Sequence, residues 1–128
     1  MNSNSGDAEA IKNVITKAYI EGIFIKQDES ALKSGFHSQF EMFIFENDDI
    51  KKMDVDSWIP ALKKLLAKDP TILDGELTYN FTDITIAKWA ASVRLDMYRD
   101  GNHFTTDFFH LYKFSDGWKV VAKSYAEE

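Results

Sequence analysis

The sequence predicts an α+β domain in which three amino-terminal helices pack on a curved antiparallel sheet, folded into a half-open cone. Three observations carry that expectation. Apolar residues recur at helical spacing near the amino end, and they alternate with polar ones after Gly75. Two Asp-Gly pairs, Asp100-Gly101 and Asp116-Gly117, then punctuate the alternating half as hairpin turns do.

Residues 1–6 are small and polar and are expected to fray, and Ser5 or Asp7 can cap a first helix over about residues 7–26. Ile11, Val14, Ile15, Ala18, Gly22 and Ile25 form its stripe. Tyr19, Ile23 and Phe24 widen that stripe, which predicts a helix held on more than one side. Asp28 restarts a short helix that stops near Gly35. Residues 41–45 read as a strand, closed by the turn-forming Asn47-Asp48-Asp49. Asp54 or Asp56 caps a third helix bearing Trp58, Ile59, Leu62, Leu65 and Leu66. Residues 77–81 and 84–86 alternate in opposite phases, so a bulge or bend is expected at Asp83. Residues 90–99, 103–114 and 118–125 complete a sheet of at most six strands. No linker or repeat interrupts the chain, so residues 1–128 read as one domain.

Composition narrows the function. At 128 residues and 45% hydrophobic, the chain can bury a core without metal or disulfide. Cysteine is absent, which excludes thiolate metal sites, iron–sulfur clusters and cysteine nucleophiles. With 15 basic against 21 acidic residues, the net charge is -6, a poor match to nucleic acid. No apolar run reaches the ~18 residues of a membrane span, and no signal-peptide core is visible, so a soluble cytoplasmic protein is expected. Phe occurs 10 times, with 5 Tyr and 3 Trp, which indicates a bulky core or a wall of rings around a cavity.

The common chemical motifs are missing, and three scattered histidines predict no metal site and no cofactor. Chemistry must then come from isolated groups lining a pocket. Alternation puts His110 on one face with Phe108, Tyr112 and Phe114, where it is either a proton carrier or a neutral core histidine. Tyr19, on the first helix, could donate its phenol to a ligand or simply pack. Val93, Leu95 and Met97 are expected to face the same cavity as His110 and Tyr112, with Trp58 near the mouth. Asp107 alternates onto the other face, with Phe109 and Leu111. Arg94 and Asp96 share the face opposite Val93, as an ion pair or an oligomer contact. Tyr79, Phe81, Phe109 and Leu111 are expected on an apolar outer face suited to a homodimer. His37 is expected to fix the corner between helix and strand.

The order of elements resembles the nuclear transport factor 2-like superfamily, and within it the putative lumazine-binding family near the SnoaL-like polyketide cyclases. The resemblance rests on Tyr19-Ile20-Glu21-Gly22, on the Asp28 helix running into Phe36-His37, and on Phe104-Thr105-Thr106-Asp107-Phe108. It continues through Leu111, Phe114, Trp118-Lys119-Val120 and Lys123. It implies a cystatin-like roll that commonly pairs through the outer sheet face. Against ketosteroid isomerase, Tyr19 matches the helix-one phenol and His110 falls at the second donor. The general base falls on Ile44, which moves no proton. Against limonene-epoxide hydrolase, Arg94-x-Asp96 matches, but the last strand offers Lys123-Ser124-Tyr125 and no acid. Neither mechanism transfers whole.

The leading expectation is therefore a small-molecule-binding protein with an aromatic-lined pocket for a planar or largely apolar ligand. Its contacts would be Tyr19, Trp58, Val93, Leu95, Met97, His110 and Tyr112, with Arg94, Asp96, Asp107 and Lys123 as further polar candidates. The alternatives are a cofactor-independent cyclase, dehydratase or isomerase using His110 and Tyr19, and a dimerising module without ligand.

Overall fold

The amino-terminal apolar stripe winds in two kinds of turn. In the computed structural model, which describes residues 3–128, helix α1 spans Ser3–Ile15 and runs on into a π-helical segment, Thr16–Ile25. The wider winding shows at the end of that segment, where the Lys26 amide donates to the Glu21 carbonyl at 2.8 Å. It accounts for the broad stripe, because Ala18, Tyr19, Ile20, Gly22 and Ile23 are all buried. The helix begins before Asp7, so Asp7 caps nothing. Its carboxylate instead accepts from Lys113 Nζ at 2.9 Å and Trp118 Nε1 at 3.1 Å, tying the helix to the last hairpin. Of the segment expected to fray, residues 1 and 2 lie outside the described residues, and the rest belongs to α1 or its start.

Two further helices begin at the aspartates that the sequence marks. Asp28 caps α2 (Glu29–Gly35) by accepting from the Ser30 amide at 2.9 Å, and Asp54 caps α3 (Val55–Lys68) by accepting from the Ser57 amide at 2.8 Å. Six strands follow or intervene: β1 (Phe36–Glu46), β2 (Asp49–Asp54), β3 (Leu77–Ala87), β4 (Ala90–Arg99), β5 (Asn102–Phe114) and β6 (Gly117–Glu127). Their order across the sheet is β2-β1-β6-β5-β4-β3. Four of the pairings are antiparallel, and β1 lies parallel to β6. The result is the α+β architecture expected, with one parallel pair added.

β1 starts at Phe36 rather than at residue 41, and β2 was not foreseen. β2 is an exposed edge strand, so burial imposes no alternation on its sequence. The phase change near Asp83 is real: the β3–β4 register shifts between Phe81 and Asp83. Further shifts fall at Met97/Tyr98 and His110/Leu111, and such bulges bend the sheet around the helices.

The concave face carries the core. Val93, Leu95 and Met97 of β4 lie on it, fully buried, beside Phe109 and Leu111 of β5. This corrects the expected phase of β5. Thr105, Asp107, Phe109 and Leu111 point inward, whereas Phe108, His110 and Tyr112 point outward and are exposed. The set proposed for the outer face moves with it. Phe109 and Leu111 are core residues, and Tyr79 and Phe81 pack partly buried against that core. Both faces of β5 are rich in rings, so alternation alone offered no polar face to break the tie.

Gly35 marks where α2 crosses the first helix. A Cβ there would lie 2.6 Å from Ala18 Cβ and 2.9 Å from Val14 Cγ1. Gly35→Ala should therefore destabilise the fold by about 1–3 kcal/mol through overpacking. Urea unfolding checks this as a lower midpoint at unchanged slope; an unshifted midpoint would mean the crossing can relax.

Candidate functional site

The wider π-helical turn delivers Tyr19 to the inner face of the sheet. There its hydroxyl donates to Asp107 Oδ2 at 2.6 Å, across 88 residues of sequence. The other carboxylate oxygen, Oδ1, lies 3.0 Å from Lys123 Nζ, and the two side chains are only 1% and 3% exposed. That contact is an ion pair off the line of a well-formed hydrogen bond, so Oδ1 has no aligned donor. Asp107 comes from β5 and Lys123 from β6, where Lys123 is paired in register with Phe109 and Met42.

Rings enclose the ammonium. Nζ lies 4.4 Å from the Tyr125 ring centre, 5.2 Å from Tyr19, and 5.9 Å from both Trp58 and Phe109. Its remaining near neighbour is Met42 Sδ at 4.0 Å. Trp58 is held from behind by Phe40, stacked nearly parallel at 5.7 Å, and by Phe36, edge-on at 5.4 Å. Tyr19, Met42, Trp58, Thr105, Asp107 and Lys123 line a cavity of 260 Å³ together with Ile23, Phe24, Leu62, Leu73, Phe104, Tyr125 and Glu127. The rim is fixed by Arg99, which donates to the Ile72 carbonyl and covers the Phe104 ring at 4.7 Å.

Burial governs the protonation of this group. Desolvation, then the neighbouring Asp107 charge, pushes the Tyr19 phenol well above its ordinary 10.0. Desolvation also pushes the Lys123 ammonium below its ordinary 10.5, although Asp107 pulls the other way. Tyr125 is raised as well, by burial and then by Glu127 and Asp107. A hydrogen-bonded phenol, a carboxylate and an ammonium buried side by side can orient a polar ligand or relay a proton.

Several sequence candidates lie elsewhere. Val93, Leu95 and Met97 face the helices but are sealed in the core, away from the cavity wall. His110 and Tyr112 sit on the outer face, so His110 cannot contact a ligand in the cone. Arg94 is also outside, half exposed, and pairs with the buried Asp96 at 3.4 Å. Burial alone would raise the Asp96 carboxyl, but hydrogen bonds from Thr106, Thr82 and Arg94 outweigh it and hold it below 3.8. His37 stacks on Phe114 at 4.7 Å, at the end of α2, and is a corner residue. Asp107 and Lys123, placed low on sequence grounds, form the floor of the cavity with Tyr19. The available signal was Asp107 and Lys123 each standing beside or between apolar residues in a strand. Among the described residues, no cluster of three metal-ligating side chains occurs, and no helix is long and apolar enough to cross a membrane.

Comparison with known proteins places this geometry in context. The family described as putative lumazine-binding matches residues 6–126. A nuclear transport factor 2-like protein of unknown function from Shewanella baltica is similar over 100% of this chain and 98% of its own, at 25% identity and a TM-score of 0.79. A second, from Silicibacter pomeroyi, covers 100% of both chains at 15% identity and a TM-score of 0.77. A domain of unknown function with a cystatin-like fold from Nostoc punctiforme covers 97% of this chain and 78% of its own, at 10% identity and a TM-score of 0.68. No curated protein matches the sequence.

Tyr19→Phe removes the donor to Asp107 and should cost about 1–3 kcal/mol, because a buried acceptor is left unmet. The phenol also sets an alkaline limit. A group raised on folding adds stability that is complete below its unfolded value of 10.0 and is lost as pH climbs through its higher folded value. Ultraviolet titration of the 5 tyrosines should therefore show a last-ionising phenol that coincides with alkaline unfolding. That step should vanish in Tyr19→Phe; its persistence would place the late phenol elsewhere.

Proposed function

This chain belongs to the putative lumazine-binding family, and we propose that it is a small-molecule-binding protein that holds one planar, largely apolar ligand inside the cone. The observation that carries the reading is the buried Tyr19–Asp107–Lys123 group at the floor of a ring-walled cavity. A structural ion pair could sit in a filled core. This one borders open space, and Asp107 Oδ1 still lacks an aligned donor. A ligand donor meeting Oδ1 and an acceptor meeting Lys123 would complete the group, while Trp58, Phe24 and Phe104 clasp a flat body.

Size limits the ligand. Pockets for drug-sized molecules run to about 300–1,000 Å³. A cavity of 260 Å³ suits a body of one or two fused rings. The family description makes lumazine, a two-ring heterocycle with donors and acceptors on its edge, the natural first probe. An acid–base reaction on such a ligand would run through Tyr19, Asp107 and Lys123, since His110 is outside.

A second copy of the chain completes the proposal. The outer face exposes Phe43, Phe45, Phe108 and Tyr112, with Ile50 on the adjoining edge strand. Phe43 and Phe108 are both in register with Ser124, so their rows meet at the centre of the sheet. We take this patch as a homodimer face, in place of the residues first assigned to it. A cytoplasmic location belongs to the same proposal.

Two measurements test these readings. Leu73 lies on the cavity wall without touching the polar group, so Leu73→Trp should fill the space. Titration of lumazine and naphthalene-sized heterocycles should show saturable shifts of the Trp58 indole resonance in the native protein. Leu73→Trp should weaken binding at least tenfold while unfolding at a similar temperature; undiminished binding would move the ligand elsewhere. Light scattering should give about twice the 14.7 kDa chain mass, falling to one chain in Phe108→Glu. A native mass of one chain would sink the dimer.

A further inference from the structure

We infer that the same cavity captures carbonyl compounds covalently: Lys123 is placed to condense with a small aromatic aldehyde or ketone, Asp107 moving the protons. The inference rests on the pocket proposed above and names the class of compound it would take. Among the described residues Lys123 Nζ is the one amine on the cavity wall, and near it lie Asp107 at 3.0 Å, Met42 Sδ at 4.0 Å and four rings. Asp107 is thus the one strong acceptor it touches.

Charge decides between carbonyl compounds and anions. The Asp107 carboxylate already compensates the Lys123 ammonium and Glu127 lines the same cavity, so a carboxylate ligand would add negative charge to an already acidic site. A carbonyl compound adds none. The condensation also preserves the balance, because an ammonium and a carbonyl become an iminium and water. Lys123 first gives a proton to Asp107, and the freed nitrogen lone pair forms a bond to the carbonyl carbon. The π pair moves to oxygen, which takes the proton from Asp107. A second proton then passes from nitrogen through Asp107 to that oxygen, the C–O bond breaks, and water leaves. The iminium carries the positive charge that the ammonium had, beside the same carboxylate. Burial supports the first step, since it disfavours the charged lysine. Tyr19, donating to Oδ2, keeps Oδ1 turned toward the amine.

The ring wall explains the choice of an aromatic carbonyl. Trp58 and Tyr125 lie against the amine, and Phe24 and Phe104 line the same cavity, so a ring on the carbonyl carbon would be held as the nitrogen attacks.

Reductive trapping tests the inference. The full chain is mixed with benzaldehyde below one equivalent, then with sodium borohydride, whose hydride adds to the iminium carbon and fixes a benzyl amine. Peptide mass mapping should find most of the benzyl group on Lys123, although exposed lysines are numerous. Filling the cavity with Leu73→Trp should cut Lys123 labelling at least tenfold and leave the exposed lysines labelled as before. This avoids removing a buried charge. Label spread over exposed lysines with none on Lys123, while benzaldehyde still shifts the Trp58 indole resonance, would overturn covalent capture and leave the binding reading standing. No label on Lys123 and no shift with any probe would overturn both.

Discussion

One buried carboxylate sets the terms for the rest of this structure. Asp107 is 1% exposed, on the inner face of a sheet whose buried side chains are mostly aliphatic and aromatic. A charge there is tolerable only with partners, and breaking such a pair costs about 3–5 kcal/mol. The partners come from opposite ends of the chain, Tyr19 from the first helix and Lys123 from the last strand. The fold must therefore close helix against sheet and bring β6 beside β5 before the group is satisfied. It acts as a registration device as well as a floor for the cavity.

The π-helical segment is the local structure that permits this closure. Its wider turn places Tyr19, Ile20 and Ile23 in the core together with Ala18 and Gly22. The segment ends at Ile25, and just beyond it Gln27 adopts φ 49 while its side chain donates to the Ile23 carbonyl at 2.9 Å. α2 then turns back close enough that Gly22 and Gly35 have little room for side chains. Rings packed around Tyr19, with Phe109 edge-on at 5.2 Å and Phe24 edge-on at 5.2 Å, hold the phenol in place. A regular α-helix would carry fewer of these residues inward on one side.

Much of this architecture was legible in the sequence, where local chemistry is decisive. The caps at Asp28 and Asp54 and the two Asp-Gly turns are each specified by short-range geometry. So is the bulge beside Asp83, announced by a reversal of phase between Phe81 and Ile84. Faces were legible only where one was polar. β4 offers Arg94 and Asp96 against Val93, Leu95 and Met97, and its phase reads correctly. β5 sets Phe108 and Tyr112 against Phe109 and Leu111, and its buried face also holds Thr105 and Asp107. Polarity pointed the wrong way there, because the cavity floor is polar and the outer sheet face is aromatic. The candidate site was hidden by its own buried polar groups.

Two aspartates on neighbouring strands differ in what their partners do with charge. Asp96 is nearly as buried as Asp107 but lies on the outer face, where Thr106 donates at 2.6 Å and Arg94 approaches at 3.4 Å. Those donors stabilise its charged form, and burial does not overcome them. Such a carboxylate is locked as an anion and has no proton to trade near neutrality. Around Asp107 it is the partners that burial acts on. Its cationic partner is itself disfavoured by burial, and its phenolic partner is held in the neutral form. A ligand in the cavity would therefore meet a neutral phenol and an ammonium that burial disfavours, on either side of one carboxylate. The asymmetry comes from the packing, since the helices cover one face of the sheet and leave the other open to solvent.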